Sequence, residues 1–160
     1  MNTTKATTTS AARNKAPSGI AKGLNQVLAD TYALMALSHH AHWNVEGEGF
    51  FALHAAFEEQ YNDLFQAADE IAERVRALDA YAVGGLKRLG KLADMDEPEA
   101  PLSQKDFVAL LIDANESAAA NLRKVKELAA KEGDTETEDM LVARLQTHEK
   151  TLWMLKSFLK

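Results

Sequence analysis

The sequence predicts an all-α protein built as a four-helix bundle. Apolar residues recur with the three-and-four spacing of a helix along nearly the whole chain. No segment shows the alternation of apolar and polar residues that a half-buried strand requires. The 160 residues correspond to about one domain, and they contain four helical segments, which is what such a bundle needs.

Two long helices are predicted in the first half of the chain. The first runs from Ser18 to Val45, where the glycine-containing segment 46–49 ends it, and the second runs from Phe50 to Leu78. Each has one apolar stripe that we expect to face the core. The stripes are Ile20, Leu24, Val27, Thr31, Leu34, Ser38 and Ala41 in the first helix, and Phe57, Tyr61, Leu64, Ala68, Ile71, Val75 and Leu78 in the second.

A long connection, residues 79–102, separates these helices from two more. Its length predicts either a functional loop or a short helix. The third helix is predicted to begin after the N-cap residue Ser103 and to end at Gly133, and the fourth opens with a capping-box pattern at 135–138. Their stripes are Phe107, Leu110, Leu111, Ala114, Ala118, Val125 and Leu128, then Leu141, Leu145, His148, Leu152, Leu155 and Leu159.

The composition excludes several kinds of site. The chain has no cysteine, which removes disulfides, cysteine-ligated zinc, iron–sulfur clusters and thiol nucleophiles, and is consistent with a reducing compartment. It has neither an apolar run of transmembrane length nor the apolar segment of a secretory signal. We therefore expect a cytoplasmic protein that does not bind membranes.

The charge is unevenly distributed along the chain. The net charge is −6, yet residues 1–30 contain four basic residues and one acidic residue, whereas residues 31–160 contain 14 basic and 23 acidic ones. We interpret residues 1–18 as a flexible basic arm and residues 19–160 as the bundle domain. A basic arm on an acidic body favours DNA or another polyanion as partner, although a solvated tail or a transit peptide has a similar composition. The candidate DNA-binding residues are Lys5, Arg13, Lys15 and Lys22.

A polar stripe lies beside the apolar stripe of the second helix. His54, Glu58, Asp69 and Glu73 fall within about 100° of one another around the helix axis, so they share one face. Imidazole and carboxylate ligands without sulfur suit iron, manganese or zinc. The alternative is a solvent-facing row of charges, which is common for isolated pairs at this spacing. Proximity to the core favours the metal site, because unpaired charges there are costly.

One helix cannot gather this stripe around a single metal. Glu58 and Asp69 are separated by roughly 16 Å along the axis, at 1.5 Å per residue. A two-fold axis near the middle of the helix would bring His54 and Glu58 of one chain opposite Asp69 and Glu73 of another. The Glu-x-x-His motifs of the usual di-iron bundle are absent from the sequence, which argues against a centre inside one chain.

The end of the first helix is rich in histidine, with His39, His40 and His42 followed by Trp43. Each histidine taken alone is as well explained by an ordinary packed or exposed side chain. Together with the downstream motifs, however, the segment resembles the signature of the Dps family, the DNA-binding proteins from starved cells, within the ferritin superfamily. The matching segments are His42-Trp43-Asn44-Val45-Glu46-Gly47, Phe50-Phe51-Ala52-Leu53-His54, Phe57-Glu58, Tyr61 and Asp69-Glu70-Ile71-Ala72-Glu73-Arg74-Val75-Arg76-Ala77-Leu78.

The resemblance implies a ferritin-like bundle and a shell of twelve chains with tetrahedral symmetry. It implies a ferroxidase centre, with two iron sites and no organic cofactor, that is shared across a two-fold interface. By matching position, His42, His54 and Glu58 come from one chain and Asp69 and Glu73 from its partner; many members have aspartate at the position of Glu58. Trp43 would lie beside the centre and take up stray oxidising equivalents, and His39 and His40 lie outside the core pattern.

The implied activity is oxidation of Fe²⁺, preferably with hydrogen peroxide and without release of hydroxyl radical, followed by storage of ferric mineral and protection of DNA. Asp139 and Glu149 are the candidates for acidic iron-entry pores, and Glu59 and Asp63 for mineral nucleation. Non-specific binding of the arm to DNA would associate the shell with the nucleoid. Two alternatives stay open: a nucleoid-compacting structural protein with little ferroxidase activity, and a ferritin-like bundle with another role such as surface adhesion.

Overall fold

The computed structural model describes residues 18–93, 95, 97–99 and 102–160. Over these residues the chain forms five helices: α1 (Gly19–Asn44), α2 (Phe50–Ala77), α3 (Leu86–Leu92), α4 (Gln104–Glu132) and α5 (Thr135–Phe158). The four long helices confirm the predicted all-α bundle. The long connection contains the short helix α3, which was one of its two predicted forms. None of the described helices has the length and apolarity needed to cross a membrane.

The helix ends follow local capping rules, with one correction. Ser18 and Ser103 cap α1 and α4, each accepting a hydrogen bond from the amide three residues on, and Gly133 ends α4 in the left-handed conformation. The predicted cap of α5 was wrong: Asp134, one residue before Thr135, accepts the bond from the Thr137 amide. Asp134 also pairs with Arg74 of α2, so its carboxylate serves both the cap and an ion pair.

The apolar stripes meet in the interior as two neighbouring clusters. One is centred on Leu24, Ile71 and Leu122, and the other on Leu34, Phe57 and Leu111, all fully buried. Thr31 and Ser38 also lie in the core, where each hydroxyl donates to the backbone carbonyl four residues earlier. The predicted core stripes are buried or half-buried almost throughout; Leu159, at the end of the chain, is exposed.

The packing around α2 is uneven. It packs closely on α1 along the hairpin, but it approaches α5 only loosely. A cavity of about 500 Å³ opens between α2 and α5, lined by residues that include Glu59, Asp63 and Lys150. An ion pair between Asp63 and Arg144 lies across this groove. The α2–α5 side of the bundle is therefore open, with a largely apolar cavity that also carries charged side chains, whereas the α1–α2 side carries the predicted metal ligands.

Candidate metal centre

The turn between α1 and α2 sets the geometry of the candidate site. Gly47 has a φ of +104°, which disfavours any side chain at this position. The side chain of Gln104, at the start of α4, holds the turn from outside: its amide nitrogen donates to the carbonyl of Glu46, and its oxygen accepts from the Gly49 amide. These contacts fix the end of α1 against the start of α2.

The hairpin brings His42 and His54 face to face. Their ring centroids are 3.7 Å apart and the rings are stacked. Each ring makes a hydrogen bond to the backbone of the other residue: His42 Nδ1 lies 2.8 Å from the His54 carbonyl oxygen, and His54 Nδ1 lies 2.9 Å from the His42 carbonyl oxygen. The His42 carbonyl belongs to the last turn of α1, which has no later helical amide to accept from, so the contact also caps that helix.

These reciprocal bonds fix the tautomer of both rings. A carbonyl oxygen only accepts, so Nδ1 must carry the hydrogen in each histidine. In the neutral form each Nε2 then has a free lone pair, which is the state that binds a metal ion. Backbone carbonyls that hold histidine rings in this way are the usual supporting contacts of metal sites. The pair is therefore arranged to present two nitrogen ligands.

The carboxylates of the predicted site do not join this pair within one chain. Glu58 follows His54 by one turn and is exposed, as are Asp69 and Glu73 farther along the same face of α2. Among the described residues, no group of three or more histidine, aspartate and glutamate side chains is close enough to hold a metal ion. A single chain thus brings together two of the five predicted ligands.

The face that carries the predicted ligands also bears large exposed apolar side chains. Phe51 and Phe65 are 85% and 62% exposed, and both lie on the His54–Glu73 face of α2. Trp43, at the end of α1, is 66% exposed beside the histidine pair. Several large exposed aromatic side chains on one face are typical of an interaction surface.

Two further aromatic residues lie at the centre. His39 has its ring 4.0 Å from that of Trp43 and 4.3 Å from that of Tyr61, which also meets His42 edge-on at 5.3 Å. Tyr61 was predicted to lie in the core stripe of α2, and no role was predicted for His39. The detectable signals were spacings: His39 precedes His42 by three residues, and Tyr61 follows His54 by seven, two turns later. His40 points elsewhere, with its ring 5.7 Å from Phe107 of α4.

The remaining candidates lie apart from this centre. Asp139 and Glu149 are exposed on α5, and Glu149 pairs with Arg123 at 3.1 Å. Glu59 and Asp63 line the α2–α5 cavity. Lys22 lies exposed in the first turn of α1, so it belongs to the helix and not to the arm. Lys5, Arg13 and Lys15 lie outside the described residues, as does nearly all of the predicted arm.

Comparison with known proteins places this geometry in context. Residues 21–160 match the model of the ferritin-like domain. The chain is 33% identical to DNA protection during starvation protein 2 of Bacillus anthracis over 136 residues, which is 85% of this chain and 93% of that protein. It is 37% identical over 144 residues to a low temperature-induced protein of Nostoc sp., covering 89% and 80% of the two chains.

The fold is similarly close to solved structures. A Dps protein from Vibrio cholerae O1, described as a member of a broad superfamily of ferritin-like diiron-carboxylate proteins, superposes with a TM-score of 0.85 at 33% identity. The match covers 88% of this chain and 89% of that one.

Proposed function

Because the chain belongs to the Dps family of ferritin-like proteins, we propose that it oxidises Fe²⁺ and stores the ferric product in a shell of identical subunits, and that it protects DNA from oxidative damage. The observation that carries the proposal is the His42–His54 pair, whose mutual hydrogen bonds through Nδ1 leave the Nε2 lone pair of each half-buried ring available. The relatives named above support iron chemistry and DNA protection through their own descriptions.

We propose that a second copy of the chain completes the centre. Two α2 helices related by a two-fold axis near their middle would set His54 and Glu58 of one chain opposite Asp69 and Glu73 of the other, twice per dimer. The same docking would cover Phe51 and Phe65, and burial of apolar surface contributes roughly 25 cal/mol per Å². The ligand geometry and the exposed aromatic residues thus favour the same interface.

Iron is the substrate of this centre. Neutral imidazole and carboxylate are ligands that iron accepts, and the hard carboxylates favour Fe³⁺ over Fe²⁺. Hydrogen peroxide takes two electrons from two Fe²⁺ ions, and with two protons it yields two water molecules and two Fe³⁺ ions. Because both electrons come from iron, no hydroxyl radical is released. The ferric product then leaves for the interior of the shell.

The groove between α2 and α5 suits the interior side of such a shell. Glu59 and Asp63 line it, and their carboxylates would bind ferric ions and seed the mineral. Asp63 is already engaged by Arg144, so Glu59 is the more available of the two. Asp139 and Glu149 would attract Fe²⁺ at pores formed where subunits meet, with twelve subunits as the expected assembly.

The arm gives the proposed contact with DNA in a cytoplasmic, nucleoid-associated protein. Lys5, Arg13 and Lys15 would contact phosphates, and many copies of a weak arm would add up through avidity. The acidic body would oppose this contact, so the expected binding is non-specific and falls steeply with salt.

The experiment that tests the ferroxidase is stopped-flow absorbance of the assembled protein. Fe²⁺ is loaded anaerobically and peroxide is then added. The parent should show a fast ferric phase, and His42→Ala with Asp69→Ala should remove it while the assembly keeps its size. His40→Ala is the matched control, because His40 packs toward Phe107, and it should leave the phase intact. Equal fast phases in the double variant and the parent would disprove the site.

A further inference from the structure

The cavity between α2 and α5 has one apolar end and one polar end. The apolar lining comes from the start of α2 and the end of α5: Ala52, Leu53, Ala56, Met154, Leu155 and Phe158. The polar lining comes from nearer the middle of both helices and includes Glu59, Gln60, Asp63, Thr147 and Lys150. Along α2 the lining extends for roughly 16 Å, at 1.5 Å per residue. With its volume of about 500 Å³, the cavity suits an elongated small molecule that has an apolar body and a polar head.

The polar end offers hydrogen-bond donors that the described residues do not use. Gln60 is 8% exposed, and its side-chain amide nitrogen has no hydrogen-bond partner among the described residues. Arg144, which pairs with Asp63 through a terminal nitrogen, has a buried Nε that likewise has no partner there. Arg144 lines a second cavity, which shares Asp63 and Thr147 with the first. Because a buried donor without a partner is costly, a hydrogen-bond acceptor bound at this end would be favoured.

The charges at this end favour an anionic acceptor. Asp63 is neutralised by Arg144, so the other charged groups of the lining are Lys150 of α5 and Glu59 of α2, both exposed. A carboxylate head would accept from Gln60 and lie near Lys150, and Glu59 alone would oppose it. An ammonium head has only donors, so it would leave the amide of Gln60 unpaired and would be repelled by Lys150.

We propose that this cavity binds a straight-chain carboxylate of the fatty-acid class, such as decanoate. Its carboxylate accepts a hydrogen bond from Gln60 and pairs with Lys150, and its alkyl chain packs along the apolar lining toward Phe158. The inference is independent of the proposed ferroxidase, because the cavity lining contains none of the predicted ligands of the metal centre. It gives the α2–α5 groove an organic ligand in addition to ferric ions.

The first test is isothermal titration calorimetry on the iron-free assembled protein, with decanoate and decyltrimethylammonium kept below their micelle concentrations. Decanoate should saturate at one molecule per chain, and the cationic amphiphile should bind more weakly. Gln60→Leu should weaken decanoate binding about tenfold, and Lys150→Met should weaken it about two- to fivefold. Lys131→Met, at an exposed position at the end of α4, is the control and should change nothing. Tighter binding of the cation, or equal affinity in Gln60→Leu and the parent, would overturn the proposal.

A second set of titrations tests the sign of the charge and the place of the chain. Glu59→Gln removes the opposing charge and should tighten decanoate binding about twofold. Ala56→Trp fills the apolar end and should abolish binding, whereas Ala120→Trp, at an exposed position of α4 outside the cavity, should not.

Butanoate keeps the head group and lacks most of the chain, so it should bind the parent at least about tenfold more weakly than decanoate. This comparison needs no variant and therefore does not depend on the folding of Ala56→Trp. Equal affinities for butanoate and decanoate, or undiminished decanoate binding by an Ala56→Trp assembly of normal size, would refute the proposed site.

Discussion

Complementation between two inactive variants gives the sharpest test of a shared centre. His54→Ala removes one side of the proposed site and Asp69→Ala removes the other. The two positions lie 15 residues apart on the continuous helix α2, or roughly 22 Å along its axis, so one chain cannot supply both to one metal ion. Each variant alone should therefore lack the fast ferric phase.

Mixed assemblies of the two variants should regain activity. In a random equal mixture, half of the sites receive an intact histidine side and, independently, half receive an intact carboxylate side. About one quarter of all sites are then complete, so the fast amplitude should return to about one quarter of the parent value. Stopped-flow absorbance of co-expressed, doubly tagged assemblies measures it. Two Asp69→Ala chains with different tags control for tagging and should stay inactive. An inactive mixed assembly of normal size would refute the shared centre.

Three further outcomes follow from other parts of the molecule. Gln104→Ala removes both hydrogen bonds that hold the α1–α2 turn and should lower the free energy of unfolding by about 1–2 kcal/mol in urea titrations, with Lys105→Ala as the neutral control; an unchanged midpoint would contradict the proposed clamp. Burial, together with the positive charges of Arg144 and Arg123, lowers the pKa of His148 to about 4, and Asp63 opposes this shift. As the pH falls, His148 therefore takes up a proton in the unfolded chain before it does so in the folded chain. The free energy of unfolding should fall by about 2 kcal/mol between pH 7.5 and pH 5. His148→Gln should reduce this loss in urea titrations at both pH values. Deletion of residues 2–17 should weaken the retardation of DNA in low-salt gels, and equal binding by the full and shortened chains would exclude a role of the arm in DNA binding.

The fold was predictable because helix periodicity and capping are local properties. The stripes of α1, α2, α4 and α5 were identified from spacing alone, and the αL residue Gly133 marked the end of α4 correctly. The cap of α5 was misplaced by one residue because Thr135 and Asp134 are both good N-cap residues. Asp134 is favoured as the cap because it also forms an ion pair with Arg74, which lies 60 residues earlier in the sequence, and no local pattern reveals that partner.

Only part of the geometry of the candidate site could be predicted from the sequence. Helical spacing placed four of the five predicted ligands on one face of α2. The stacking of His42 on His54 depends on the turn and on Gln104, which is far away in sequence. The contacts of Tyr61 with His39 and His42 were hidden for a related reason: a half-buried tyrosine in an apolar stripe has the same spacing as an ordinary core residue. The geometry of the site therefore depends on contacts between helices, which the residue pattern within a single helix does not reveal.

The buried His148 and the half-buried pair His42 and His54 show how the fold separates structure from chemistry. His148 lies in the core, where its Nδ1 is hydrogen-bonded to Asn115 and its Nε2 has no partner among the described residues. Burial in this position lowers the pKa of His148. His42 and His54 have the same Nδ1 arrangement, but their Nε2 atoms belong to half-buried rings on the ligand face. The tautomer is thus fixed in the buried histidine and in the histidine pair alike, and the accessibility of Nε2 decides whether the ring can bind a metal ion. A free Nε2 at the surface can bind a metal ion, whereas one in the core can only resist protonation.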